Sequence, residues 1–208
     1  MIWFISDPHF FHKNVIRMCK RPFENLHDMH ESYIQEWNKR VKPNEKVYVL
    51  GDFAFAGWTL MKKVLDRLNG HKILITGNHD LAAHKMLAAG FQEVHENIWI
   101  EMGPDKQKVF LSHFPFHPMF SYNKYQDGSV EQKYSGPVDM RYLHKRIVDD
   151  GNTWLLHGHV HNAWRQNGRQ INVGVDVRGH VPVSHEAILK IIEAGPAWDG
   201  ESFEDKGD

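Results

Sequence analysis

One cysteine in 208 residues, Cys19, leaves no partner for an internal disulfide, so the fold does not depend on an oxidising compartment. A basic excess is missing as well. The net charge of -1 argues against a large nucleic-acid footprint, while leaving room for a local basic groove. No apolar run is long enough to cross a bilayer. Residues 1–5 reach Ser6 and Asp7 too soon, and lack the basic flank, to be a signal peptide, so a cytoplasmic protein is expected. Internal repeats and low-complexity linkers are absent. A single domain is expected over residues 1–195, followed by a polar tail at 196–208.

What the chain does have is histidine, 16 of them against that one cysteine, which directs attention to imidazole and carboxylate metal chemistry rather than thiolate sites. The organising stretch is Ile73, Leu74, Ile75 and Thr76 followed by Gly77, Asn78, His79 and Asp80. It reads as a short buried strand whose carboxyl end presents polar, ligand-capable side chains, the place where open α/β sheets put their chemistry. An ordinary strand-to-helix turn, with Asn78 or Asp80 capping a helix from about Leu81, is the alternative.

The same device recurs. A strand at 2–6 ends in Asp7-Pro8-His9; if the backbone stays extended there, Asp7 and His9 project to one side. A strand at 46–50 ends in Gly51-Asp52, one at 108–112 ends in His113, and one at 153–156 leads into His157-Gly158-His159-Val160-His161. His159 and His161 share a side if that segment is extended, with His157 opposite. Helices are expected at 10–20, with Val15, Ile16, Met18 and Cys19 toward the core, and at 27–41, with Met29, Tyr33, Ile34 and Trp37 as one face. Others follow at 57–69, 81–89, 140–150 and 185–193, the last capped by Ser184.

The first half therefore alternates strand and helix, the pattern of a parallel sheet, whereas the strands at 93–95, 98–102 and 108–112 favour a more antiparallel one. A hairpin is expected around Asn167-Gly168, with Asn172, Gly174 and Asp176 after it at the site rim. Residues 114–139 read as a long loop in which His117, Tyr122, Asn123 and Tyr125 are the residues of interest. Arg17, Lys20 and Arg21 suit phosphate contact by charge type.

Taken together, Asp-Pro-His at 7–9, Gly-Asp at 51–52, Gly-Asn-His-Asp at 77–80, Ser-His at 112–113 and Gly-His-Val-His at 158–161 resemble the ordered motifs of the calcineurin-like metallophosphoesterases. The resemblance runs from residue 2 to about residue 190, is specific as an ordered set although each motif alone is weak, and is strongest to small single-domain bacterial and phage phosphoesterases.

The resemblance implies an α/β fold of a particular kind, a four-layer α/β/β/α sandwich with a dinuclear metal site at the carboxyl edges of two sheets. It implies that Asp7, His9, Asp52 and His161 hold one divalent cation and that Asp52, Asn78, His113 and His159 hold the other. Manganese is the favoured metal, and iron, nickel and zinc also suit the ligands. His79 would stabilise the transition state or protonate the leaving oxygen, with Asp80 orienting it. Arg17, Asn78, His79 and His117 would contact substrate. The expected activity is hydrolysis of a small phosphate ester, as a phosphodiesterase on a nucleotide-like substrate, without a stable nucleic-acid partner or a membrane. Phosphomonoesterase or protein phosphatase activity is the alternative within the enzyme class. A non-catalytic interaction scaffold on the same fold is the alternative outside it.

Overall fold

The computed structural model describes residues 1–116, 120–124, 130–134 and 140–198. In chain order the first half contains β1 (Ile2–Ile5), α1 (Lys13–Met18), α2 (Leu26–Arg40), β2 (Lys46–Val49), α3 (Trp58–Leu65), β3 (His71–Ile75), α4 (Ala83–Ala89) and β4 (Glu93–His95). The second half contains β5 (Asn97–Met102), β6 (Gln107–Ser112), β7 (Phe120–Lys124), β8 (Val130–Tyr134), β9 (Leu155–His157), β10 (Gln166–Gly168), β11 (Gln170–Asn172), β12 (Val183–Ser184), α5 (His185–Ala194) and β13 (Ala197–Trp198).

The strands form a five-stranded sheet in the order β12-β1-β2-β3-β4, a six-stranded sheet in the order β13-β10-β11-β9-β6-β5, and a β7-β8 ribbon. In the first sheet β1, β2, β3 and β4 are parallel and β12 runs against β1. The second sheet is mixed: β6, β9 and β11 are parallel, while β5, β10 and β13 pair antiparallel to their neighbours.

Alternate side chains explain why the middle of the first sheet is apolar on both faces. Ile5, Val49 and Leu74 face the helices, packing with Met29, Ile34 and Trp37 of α2, Met61, Val64 and Leu65 of α3, and Met86 of α4. Their neighbours Phe4, Tyr48 and Ile73 face the other way, onto Val109, Leu111, Leu156 and Ile171 of the second sheet, with Ile188 of α5 joining them. Each large apolar side chain fully buried in these layers is worth roughly 1.5–3 kcal/mol. The outer face of the second sheet carries a small cluster of Phe110, Phe116 and Leu155 with Ile147. The structure is thus a mixed α/β fold of two packed sheets with helices over the first.

Several expected boundaries move. α1 is confined to Lys13–Met18, and Met18 is 66% exposed rather than in the core. α3 stops at Leu65 because side chains of α2 take over the backbone groups beyond it: Asn38 Nδ2 donates to Arg67 O (2.8 Å), Asn69 N donates to Asn38 Oδ1 (2.9 Å) and Trp37 Nε1 donates to Asn69 O (2.9 Å). β4 joins the first sheet, parallel to β3, and not an antiparallel one. Residues 114–139 hold the paired strands β7 and β8, and residues 140–150 hold a 3-10 turn, Met140–Lys145, in place of an α-helix. Ala197 and Trp198, expected in the tail, pair with β10.

The expected α2 face and the Ser184 cap of α5 are both present, the latter with Ala187 N donating to Ser184 Oγ. No helix among the described residues is long and apolar enough to cross a membrane.

Candidate metal centre

The register of the first sheet sets up the site. Ile5 lies opposite Val49, and Val49 opposite Leu74, so the chain leaves β1, β2 and β3 at one edge and delivers Asp7, Asp52 and Asn78 side by side. Parallel pairing of β6 with β9 brings His113 and the histidines after β9 to the same region, and His159 N donates to Asp7 Oδ2 at 3.0 Å.

The backbone there is not extended. Asp7, His9, Asp52, His159 and His161 all have positive φ, between 49° and 71°, a conformation that costs non-glycine residues on the order of 1–2 kcal/mol each. The expectation that alternation along an extended strand aligns Asp7 with His9, and His159 with His161, is therefore corrected. Left-handed turns do the aligning. Asp7 N donates to Gly51 O (3.2 Å), His9 N donates to Asp52 O (3.1 Å), and the Arg21 guanidinium donates to Asp7 O (2.8 Å) and Pro8 O (2.9 Å).

The ligand-capable atoms converge. His9 Nε2 lies 3.8 Å from Asp7 Oδ1 and 3.6 Å from Asp52 Oδ2, and His113 Nε2 lies 3.5 Å from the same Asp52 oxygen. Asn78 Oδ1 faces His113 Nε2 at 3.2 Å and His159 Nδ1 at 3.1 Å. Asp7, His9 and His161 form one group whose ligand atoms lie within 4.8 Å of one another, and Asp7, Asp52 and His113 form another. Asp7 belongs to both groups, while Asp52 Oδ2 sits between His9 and His113.

These residues suit a cation on their own chemistry. Asp7 Oδ1 and His9 Nε2 are buried without a hydrogen-bond partner, which is costly unless something else satisfies them. The Nδ1 of His113 lies 2.7 Å from the Leu50 carbonyl and donates to it; in the neutral ring, Nε2 then turns its lone pair toward the oxygens of Asp52 and Asn78. Lone pairs facing lone pairs are what a cation resolves. Backbone is brought close as well: a Cβ at Gly77 would collide with Asp52 Oδ1, and one at Gly158 with Ser6 Oγ and Asp7 Oδ2.

Protonation states agree with that reading. Burial pushes the Asp7 carboxyl up, but His113, His161 and His9 outweigh it and bring it to about 2. Burial drives His9 down to about 3 against the pull of Asp7, and drives His159 down to about 3 with the help of His113. Ionised carboxylate beside neutral imidazole is the state in which both ligate. His161 differs: burial lowers it, yet its bond to Asp176 and the proximity of Cys19 and Asp7 raise it to about 11. Cys19, His161 and Asp176 also cluster, but Asp176 is already taken by the forked guanidinium of Arg21, at 2.7 and 2.9 Å.

Asp80 is placed differently from expectation. Its carboxylate accepts from Asp52 N (2.9 Å), Phe53 N (3.0 Å) and Gly77 N (2.8 Å), so it ties the ends of β2 and β3 together and does not hold the His79 ring. Burial first, and the charge of Asp52 second, raise it to about 6. His79 sits at the lip. Its side chain is 43% exposed, its N–H donates to Asp52 Oδ1 (2.9 Å), and its Nε2 is 4.0 Å from Asp52 Oδ2.

Arg17 is exposed in α1 and, among the described residues, makes no ion pair with the cluster. Arg21, read as a phosphate contact, is buried and spent on Asp176, Asp7 and Pro8. His117 and Tyr125 lie outside the described residues, as do the side chains of Tyr122 and Asn123. His157 is fully buried, its ring 4.6 Å from that of Trp164.

Arg21, expected to contact phosphate, and Asp176 and Asn172, expected at the site rim, together form the buried support of the site. Asn172 Nδ2 holds the carbonyls of His161 (2.9 Å) and Trp164 (2.8 Å). Phe55 beside His79 was missed, and carries no local signal.

No protein-family profile matches the chain. Among solved structures, it resembles the crystal structure of the protein of unknown function AQ665 from Aquifex aeolicus, with a TM-score of 0.65 and 27% identity, covering 92% of this chain and 98% of that one. A novel archaeal phosphodiesterase matches with a TM-score of 0.40 and 17% identity over 83% of this chain and 81% of that one, a likeness too loose to carry an assignment. Among curated proteins, the uncharacterized protein MJ1445 of Methanocaldococcus jannaschii is 30% identical over 203 residues, which are 93% of this chain and 92% of the other. On that near full-length match, the chain belongs to the same family as the Methanocaldococcus jannaschii protein.

Proposed function

We propose that this protein is a metal-dependent phosphoesterase of the calcineurin-like kind, acting on a small phosphate ester and favouring diesters. The observation that carries the reading is the convergence, where strand ends of the two sheets meet, of Asp7, His9, Asp52, Asn78, His113, His159 and His161, with buried ligand atoms of Asp7 and His9 lacking protein partners. Two divalent cations, manganese by preference, would supply the charge that activates water and neutralises phosphoryl oxygens.

The protein's own part is positioning. Asp7, His9 and His161 would hold one cation and Asn78, His113 and His159 the other, with Asp52 between them. Asp80 fixes the backbone that carries Asp52 and Gly77. His79, exposed at the lip and 4.0 Å from Asp52 Oδ2, is free to give a proton to a departing ester oxygen.

The test is manganese-supported hydrolysis of bis-p-nitrophenyl phosphate beside p-nitrophenyl phosphate. Faster diester cleavage, reduced at least about 100-fold in His79→Ala with the metal content kept, is the expected result. Dominant monoester cleavage would move the assignment to a phosphomonoesterase. No cleavage of either by the manganese-loaded protein would overturn the enzyme reading in favour of a scaffold.

A further inference from the structure

The metal cluster leaves one feature beside it unexplained. Phe55 is 55% exposed, yet it is not loosely held. Its N–H donates to Phe10 O at 2.8 Å, and the preceding Ala54 forms a bridge to Phe10, so the backbone is pinned while the ring is offered to solvent. The ring centroid lies 5.0 Å from that of His12 and 5.7 Å from that of His79. Both imidazoles in turn touch His9, at 5.4 and 5.6 Å. His9, His12, Phe55 and His79 therefore close a circuit of rings, buried at His9 and open at Phe55 and His79. His12 Nδ1 is itself buried and lacks a hydrogen-bond partner.

An exposed, rigid aromatic face bordered by imidazoles is suited to a flat ring with polar edges, since ring faces stack whatever the ring's hydrogen-bonding pattern. One phenyl face bounded by polar rings offers no continuous apolar channel for an alkyl chain. Its position beside His79 places the flat group next to the ester oxygen that His79 would serve.

We propose that Phe55, with His12 at its edge, forms a subsite for a nucleobase, which makes the substrate a nucleotide ester. The subsite rests on the phosphoesterase reading and narrows it to substrates that carry a planar heterocycle.

The probes are adenosine monophosphate and ribose 5-phosphate, which share phosphate and sugar and differ in the base. Calorimetric titration of the manganese-loaded protein should show the adenine compound binding about tenfold more tightly. Phe55→Ala should bring the two affinities together by weakening the adenine compound alone, and Phe55→Trp should keep the preference. Thermal midpoints and metal content of the variants serve to confirm folding. Equal affinities in the unaltered protein, or a preference undiminished in Phe55→Ala, would overturn the subsite. If bis-p-nitrophenyl phosphate is cleaved normally in that case, the phosphoesterase reading stands and the subsite alone falls. If nothing binds and nothing is cleaved, both fall.

Discussion

Histidine serves two purposes in this chain, and the surroundings of each ring tell them apart. At the strand ends, imidazole nitrogens point at carboxylate and amide oxygens, and the backbone beneath Asp7, His9, Asp52, His159 and His161 is held left-handed. His30 is structural. Its Nε2 accepts the N–H of Phe11 at 2.8 Å and its ring packs on Phe10 and Phe11. Burial first, opposed by Glu31, drives it from 6.5 down to about 4.

That depression has a sign. Between those two values the unfolded chain has taken up a proton that folded His30 refuses, so stability is present above pH 6.5 and is lost as the pH falls toward 4. His30→Gln, whose side-chain oxygen can still accept from Phe11, should flatten the fall of the urea midpoint across that window. A slope identical to that of the unaltered protein would contradict the assignment.

At the scale of elements, Arg21 is the tie. With its side chain fully buried beside an equally buried Asp176, it links the segment after α1 to the Asp7-Pro8 turn and, across 155 positions of sequence, to the 3-10 turn Val175–Val177. Asp176 then holds His161 Nδ1 at 2.9 Å. A lysine cannot reproduce that fork, so Arg21→Lys should cost about 3–5 kcal/mol in urea unfolding and loosen metal binding at His9 and His161. A loss below about 1 kcal/mol would show that the tie is dispensable.

Elements were legible in proportion to how local their causes are. The apolar spacing of Met29, Tyr33, Ile34 and Trp37 fixed α2, because burial of one face is written in the sequence. The end of α3 was not legible, since Asn38 sets it from another helix. Arg21 was misread for the same reason: charge type reveals nothing of a partner so far away.

For the molecule as a whole, the strand ends that carry Asp7, Asp52, Asn78 and His113 could be read because a buried apolar run that stops in glycine or a polar side chain marks an exit from a sheet. The sheet order and the left-handed turns could not, since both depend on hydrogen bonds between segments distant in sequence, such as Asp7 N to Gly51 O. β4 is an example. Its residues Glu93, Val94 and His95 are all half-buried and carry no sheet label of their own, and pairing with β3 decides the matter.

The proposed role of the two sheets is to hold divalent cations between Asp7, Asp52 and the surrounding histidines. The most direct test is a metal count by plasma mass spectrometry after equilibration with manganese and removal of the free ion, on the unaltered protein, Asp52→Asn and His79→Ala. About two ions per chain are expected in the first, with a marked loss in Asp52→Asn and no loss in His79→Ala. A metal-free unaltered protein, or an Asp52→Asn variant that binds as much as its parent, would contradict that role.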